Sequence, residues 1–359
     1  MNRRDFLKMG GLGALSLLAM GNMAGEEAIA APKGKGKSVQ AIKLPDGKKV
    51  DFHSHAILPS YVNGMKELGI DPVAEEGFPL PAWSEDAHLK FMAEAGIDYS
   101  ILSLPTPHVY NGDVALSRKV VRAINEEIAE LCRKYPDKFG FVAALPFPDV
   151  EGSLAEIRYA MEKLGALGVK VASNSAGVYL GDSQLEEVFA ELSRRKALVI
   201  LHPSPARQLP RKNVVTGRVM ALFEYPADTT RAVLNLLASG TLARNPDIRL
   251  VVPHCGSFLP YMKSRAKAMF TMLAGMGMMD QVDMEAELGR LYFDLAGDPM
   301  PEEMDMLLAI TDEKHIIYGS DYPYVPAPVL LKKKAALDMA LTSRGQMGQV
   351  YVRNPEKLL

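Results

Sequence analysis

The chain has 359 residues, 48% of them hydrophobic and 23% charged, which is enough apolar material for a full core and too little charge for a disordered chain. With 41 Lys and Arg against 43 Asp and Glu, the formal charge is −2, so no basic footprint is offered to a phosphate backbone and nucleic acid is not expected as a partner. Two cysteines exclude a disulfide scaffold and a cysteine-built zinc finger, so any metal has to be held by His, Asp or Glu, and the chain has 7 His.

The chain opens on Asn2-Arg3-Arg4-Asp5-Phe6-Leu7-Lys8, followed by a Gly-broken apolar stretch from Met9 to Met23 that is too short for a membrane span. Ala28-Ile29-Ala30 then offers small residues at a cleavage spacing. The order resembles a twin-arginine export signal over residues 1–30, which implies the export machinery as a partner, cleavage near Ala30 and a periplasmic destination. Residues 31–47, rich in Lys and Gly at their start, read as a linker, and residues 48–359 as one folded domain.

From there strand and helix patterns alternate. Short apolar, often β-branched runs predict strands at 49–53, 99–104, 140–145, 169–173, 198–202, 249–253, 291–295 and 315–319. Helical spacing predicts helices over 84–95, 113–135, 150–164, 183–196, 228–242, 260–273, 301–310 and 327–341, the first with Ser84 at its N-cap. Eight such units in about 310 residues fit a (β/α)8 TIM barrel. An open doubly wound sheet is the alternative, but no Gly-x-Gly-x-x-Gly turn follows the first strand.

A barrel collects its chemistry at the C-terminal ends of its strands. The first strand runs into Asp51-Phe52-His53-Ser54-His55, where residues two apart face the same way. The fifth ends at His202, the sixth at His254, and the eighth at Asp321 in Gly319-Ser320-Asp321-Tyr322-Pro323. Neutral imidazoles with one carboxylate suit Zn²⁺ first, with Mn²⁺ or Fe²⁺ as alternatives.

Three further stretches resemble one family. They are Trp83-Ser84-Glu85-Asp86-Ala87-His88-Leu89-Lys90-Phe91-Met92, Glu224-Tyr225-Pro226-Ala227-Asp228-Thr229-Thr230-Arg231-Ala232, and Pro253-His254-Cys255-Gly256-Ser257-Phe258-Leu259-Pro260-Tyr261 with Arg265 beyond. With the strand-end set they are similar to the amidohydrolase superfamily, in its amidohydrolase-related branch of aminocarboxymuconate-semialdehyde and 6-methylsalicylate decarboxylase-like enzymes. The resemblance implies that His53, His55, His202 and Asp321 hold one divalent metal and that His254 activates water or moves a proton. It offers Arg265 as the partner of a substrate carboxylate, and it implies a homodimer. The chain departs from its relatives with Cys255-Gly256 after the His where many have Gly-Gly, and with His88 where aminocarboxymuconate-type enzymes have Arg.

Other residues stay open. His88, Trp83 and His108 are candidate substrate contacts, with a helix-face, loop-anchor or loop role as the alternative. His315, at the opposite rim, reads as structural, as does Lys170 in strand 4, and Asp294 at the end of strand 7 reads as structural first, with orienting a loop or a ligand as the alternative. Alternation is expected to turn Cys255 away from the metal. The reaction expected is non-oxidative decarboxylation of a small aromatic or unsaturated acid, with Asp321 or His254 delivering the proton. Hydrolysis of a lactone, ester or amide is the alternative, and a non-catalytic periplasmic binding protein is a third reading.

Overall fold

The computed structural model describes residues 47–206 and 219–359, so the export signal and all but the last residue of the linker lie outside the described residues. Eight strands are parallel neighbours in the order β1 (Val50–His55), β2 (Tyr99–Ser103), β3 (Phe139–Ala143), β4 (Gly168–Ala172), β7 (Leu198–His202), β8 (Arg249–Val252), β9 (Tyr292–Asp294) and β10 (Ile316–Ile317). β5 (Asn174–Ser175) and β6 (Val178–Tyr179) form a separate antiparallel hairpin after β4. The ring closes through backbone bonds rather than a long ladder. Phe52 N–H donates to Tyr318 O at 2.9 Å, Asp321 N–H to His53 O at 2.7 Å and His55 N–H to Tyr322 O at 2.8 Å.

The strands read as continuous apolar runs because both faces are covered. Val50, Phe52, Ile101, Val142, Ile200, Val251 and Ile317 form one cluster inside the ring. The alternate residues, such as Leu102, Phe141, Val171, Leu201 and Phe293, pack outward in a second cluster shared with the helices. Each such buried side chain stabilises the fold by about 1.5–3 kcal/mol.

The covering helices are α3 (Glu85–Ala95), α4 (Val114–Lys134), α5 (Val150–Tyr159), α6 (Glu186–Arg194), α7 (Glu224–Ala238), α9 (Leu259–Gly275), α11 (Glu302–Leu308) and α12 (Ala327–Ser343). Their starts follow the sequence where a cap exists: the Ser84 side chain accepts from Ala87 N–H, and Asp113 from Leu116 N–H. The helix expected over 228–242 instead starts at Glu224 and breaks at Gly240, whose φ of 71° separates it from α8 (Thr241–Arg244). The sequence reading lacked α1 (Pro59–Leu68) and α2 (Pro72–Glu76) between β1 and α3, α10 (Met284–Gly289) and α13 (Asn354–Leu358). No helix among the described residues is long and apolar enough to cross a membrane.

Candidate metal centre and active-site cavity

One irregularity aims the centre. The register between β1 and β2 slips between Asp51 and Ser54, a β-bulge. Val50 and Phe52 already occupy the ring interior, so unbroken alternation would send His53 and His55 outward. The bulge resets the phase, and His53 and His55 join His202 and Asp321 in a group whose ligand atoms all lie within 4.8 Å of one another. His202 needs no such device, since Leu198 and Ile200 face inward and parity carries His202 to the same side.

Each imidazole is oriented from behind. His53 Nδ1 lies 2.8 Å from Asp294 Oδ2; a carboxylate only accepts, so Nδ1–H donates and the Nε2 lone pair is left free. His55 Nδ1 lies 2.9 Å from the Ser103 hydroxyl, which passes its own proton to Ser54 O. His202 Nδ1–H donates to Pro203 O at 3.1 Å. Asp321, in the turn after β10 with φ of 60°, places Oδ1 3.4 Å from His53 Nε2 and 3.2 Å from His55 Nε2. Gly319 makes this approach possible, because a Cβ there would sit 2.7 Å from His53 Cβ and 3.1 Å from Asp294 Cβ.

The electrostatics suit a cation. Burial pulls His53 down, but Asp294, then Asp321 and Asp51, outweigh it and push the imidazole up to about 9. Burial, joined by the charges of His53 and Lys170, takes His55 down to about 4 against the pull of Asp321, and burial with the neighbouring imidazoles and Lys170 takes His202 well below the usual imidazole range. Burial pushes Asp321 up, yet the imidazoles of His254, His55 and His53 outweigh it and hold the carboxyl well below the usual range. The neighbouring imidazoles therefore favour the carboxylate form of Asp321. His53 Nε2 is buried and lacks a hydrogen-bond partner among the described residues, as a nitrogen kept for a metal would. Once an ion displaces the proton that His53 carries without it, three imidazole nitrogens and one carboxylate form a donor set that fits one divalent ion.

His254 stands beside this group without being part of it, its Nε2 3.8 Å from Asp321 Oδ2. Asp294 also takes its backbone N–H, at 3.0 Å, so one carboxylate holds both His53 and His254. His254, Cys255, Gly256 and Ser257 all have positive φ, between 53° and 72°. Strand alternation therefore does not govern Cys255, because the chain has left the strand and turned left-handed. Its thiol is buried, donates to Ala296 O and is pushed well above its usual range by burial.

The donors open into a cavity of about 470 Å³ lined by His202, His254 and Asp321, by Phe78, Tyr225 and Tyr324, and by Thr106, Asp298 and Glu303. The structure does not bring the other substrate candidates there. Arg265 is exposed on α9 and is not among the lining residues. His88 is buried against Phe139 and Tyr322 and accepts from Trp83 Nε1–H at 3.1 Å, so this pair anchors the start of α3. His108 is buried beside a separate cavity of about 340 Å³. His315 contacts Asp312 on an exposed 3₁₀ turn away from the site. Asp294 takes the orienting role left open for it, as the hub behind two histidines. Thr106 and Tyr324 gave no sequence signal, whereas Tyr225 lay inside one of the resembling stretches.

The described fold and this geometry agree with comparison to known proteins. Residues 50–359 match the family model described as amidohydrolase. The chain belongs to the amidohydrolase family. It is 32% identical to decarboxylase yanB of Aspergillus niger over 79% of each chain. It is 28% identical to a 6-methylsalicylic acid decarboxylase of Penicillium expansum, over 79% of this chain and 87% of that one. A crystal structure of an amidohydrolase II is 34% identical and superposes with a TM-score of 0.78, covering 86% of this chain and 99% of the other.

Proposed function

We propose that this amidohydrolase-family protein is a metal-dependent carboxy-lyase that removes CO2 from a small aromatic carboxylic acid with an oxygen next to the carboxylate. The observation that carries the reading is the four-donor cluster beneath an aromatic-walled cavity of about 470 Å³, a size that suits a single substituted ring. Its relatives named as decarboxylases, among them one for 6-methylsalicylic acid, support the reaction and the substrate class.

His53, His55, His202 and Asp321 would hold the ion, Zn²⁺ ahead of Mn²⁺ or Fe²⁺ by the chemistry of the set. When bound, it supplies Lewis acidity to the acid's oxygens. The protein's own residues do the rest. Phe78, Tyr225 and Tyr324 hold the ring and displace water. The carbon–carbon bond breaks, CO2 leaves, and a proton must reach the ring carbon. His254 faces the cavity outside the donor set, so it is assigned the delivery ahead of Asp321, which the ion would occupy. No organic cofactor is needed.

The test is a panel of 2-hydroxybenzoates and lactones offered to protein loaded with Zn²⁺ or Mn²⁺, following CO2 and acid release separately. CO2 from the aromatic acids is expected; acid release from lactones without any CO2 would replace this reading with a hydrolase. We also infer export to the periplasm by the twin-arginine route, on the strength of Arg3-Arg4 and the Ala28-Ile29-Ala30 site. Lys at both arginine positions should leave the uncleaved chain in the cytoplasm, and unchanged processing would remove that inference.

A further inference from the structure

The cavity wall carries a chain of hydrogen-bonded hydroxyls behind the Tyr225 ring, and the reaction above does not use those hydrogen bonds. Glu76 of α2 is 1% exposed, and its Oε1 accepts a hydrogen bond from the Thr106 hydroxyl. Its Oε2 is buried with no partner among the described residues. The Thr106 hydroxyl lies 3.1 Å from the Tyr225 hydroxyl, and Thr106 and Tyr225 both line the cavity. The Tyr225 ring sits 6.4 Å from that of His202, and Tyr324 donates to Thr106 O at 2.6 Å, which fixes the segment in place. A buried carboxyl left half-partnered is costly, and this one is wired to the substrate's wall.

Each hydroxyl in the chain has one proton to give. When Glu76 is ionised, Thr106 donates to it and must accept from Tyr225, which then offers only lone pairs to the cavity. When Glu76 is protonated it donates to Thr106, Thr106 donates to Tyr225, and the Tyr225 proton turns toward the cavity. One proton on a buried carboxyl thus inverts the hydrogen bond that the wall presents.

We propose that Tyr225 contacts the substrate's ring oxygen, and that Glu76, acting through Thr106, sets whether that contact accepts or donates. Glu76 and Thr106 are then positioning residues that match the site to a ring hydroxyl or to a phenolate. The proposal rests on the aromatic-acid reading and deepens it by naming what recognises the oxygen beside the carboxylate. Burial pushes Glu76 up to about 7, with the Thr106 hydrogen bond and the Lys170 charge on β4 pulling the other way and neighbouring Glu75 adding to the rise. Tyr61 and Tyr324 also face it, and burial keeps both phenols neutral. The exchange therefore falls at working pH.

The experiment is calorimetric binding of 2-hydroxybenzoate and of benzoate to metal-loaded wild type, Glu76→Gln and Tyr225→Phe between pH 5.5 and 8.5. Taking the ratio of the two affinities cancels the titration of groups that both ligands meet alike. In wild type the ratio should change by roughly tenfold, with an inflection near 7, the worth of about one hydrogen bond. It should be flat in Glu76→Gln, and flat and near unity in Tyr225→Phe. A wild-type ratio that does not vary, or one whose inflection survives in Tyr225→Phe, overturns the proposal. Tyr225→Phe removes one oxygen from a cavity wall, so it decides the question even where Glu76→Gln fails to fold. CO2 is measured separately: its absence from every acid would sink the carboxy-lyase reading and leave the binding comparison to stand or fall by itself.

Discussion

Two clusters at the barrel mouth use the same residue type for opposite ends. In the donor cluster drawn from β1, β7 and the turn after β10, every ligand histidine has its far nitrogen held, His53 by Asp294, His55 by Ser103 and His202 by Pro203 O, so its other nitrogen is aimed. In the cluster of β4 and the loop after β2, both ring nitrogens of His108 are buried without a partner among the described residues, and burial takes it down to about 3. Lys170, also buried there, is pulled down to about 8 by burial. A histidine's chemistry is therefore decided by what stands behind it: the aimed imidazoles converge on a site for a cation, whereas His108, beside the Lys170 ammonium, is kept neutral.

The largest effects should come from breaking the donor cluster. Asp321→Asn should lose the ion on dialysis and nearly all CO2 release, a loss beyond the roughly 10–100-fold that one supporting partner costs. Metal analysis and turnover measure it, and full activity without metal would end the comparison. Asp294→Asn should weaken metal affinity by about 10–100-fold in a chelator competition, since it frees both the His53 ring and the His254 backbone.

The other cluster is tested by stability. The folded-state value of Glu76 is raised from 4.5 to about 7, so the folded protein keeps a proton that the unfolded chain releases. The stability it contributes is present below about 4.5 and is lost as pH rises through about 7. Urea unfolding should show wild type losing up to about 3 kcal/mol more than Glu76→Gln across that window. Parallel curves would mean that Glu76 does not titrate there. The smallest effect is expected at Arg265, which is exposed and away from the cavity: Arg265→Ala should leave KM within about twofold and stability within about 0.5 kcal/mol. A large rise in KM would restore it as the carboxylate's partner.

The sequence by itself determined the eight alternating units and the four strand-end donors, because buried parallel strands write continuous apolar runs and a metal needs specific side chains at their ends. Burial and partnering were decided only by tertiary structure. Nothing local marks the bulge between Asp51 and Ser54 that turns His53 and His55 inward, or the left-handed turn that carries Cys255. Asp294 gains its role from residues 241 and 40 positions away, and Glu76 from Thr106, 30 positions on. Sequence periodicity reports which face of an element is buried, whereas the orientation of a proton depends on which distant groups the closed ring brings against it.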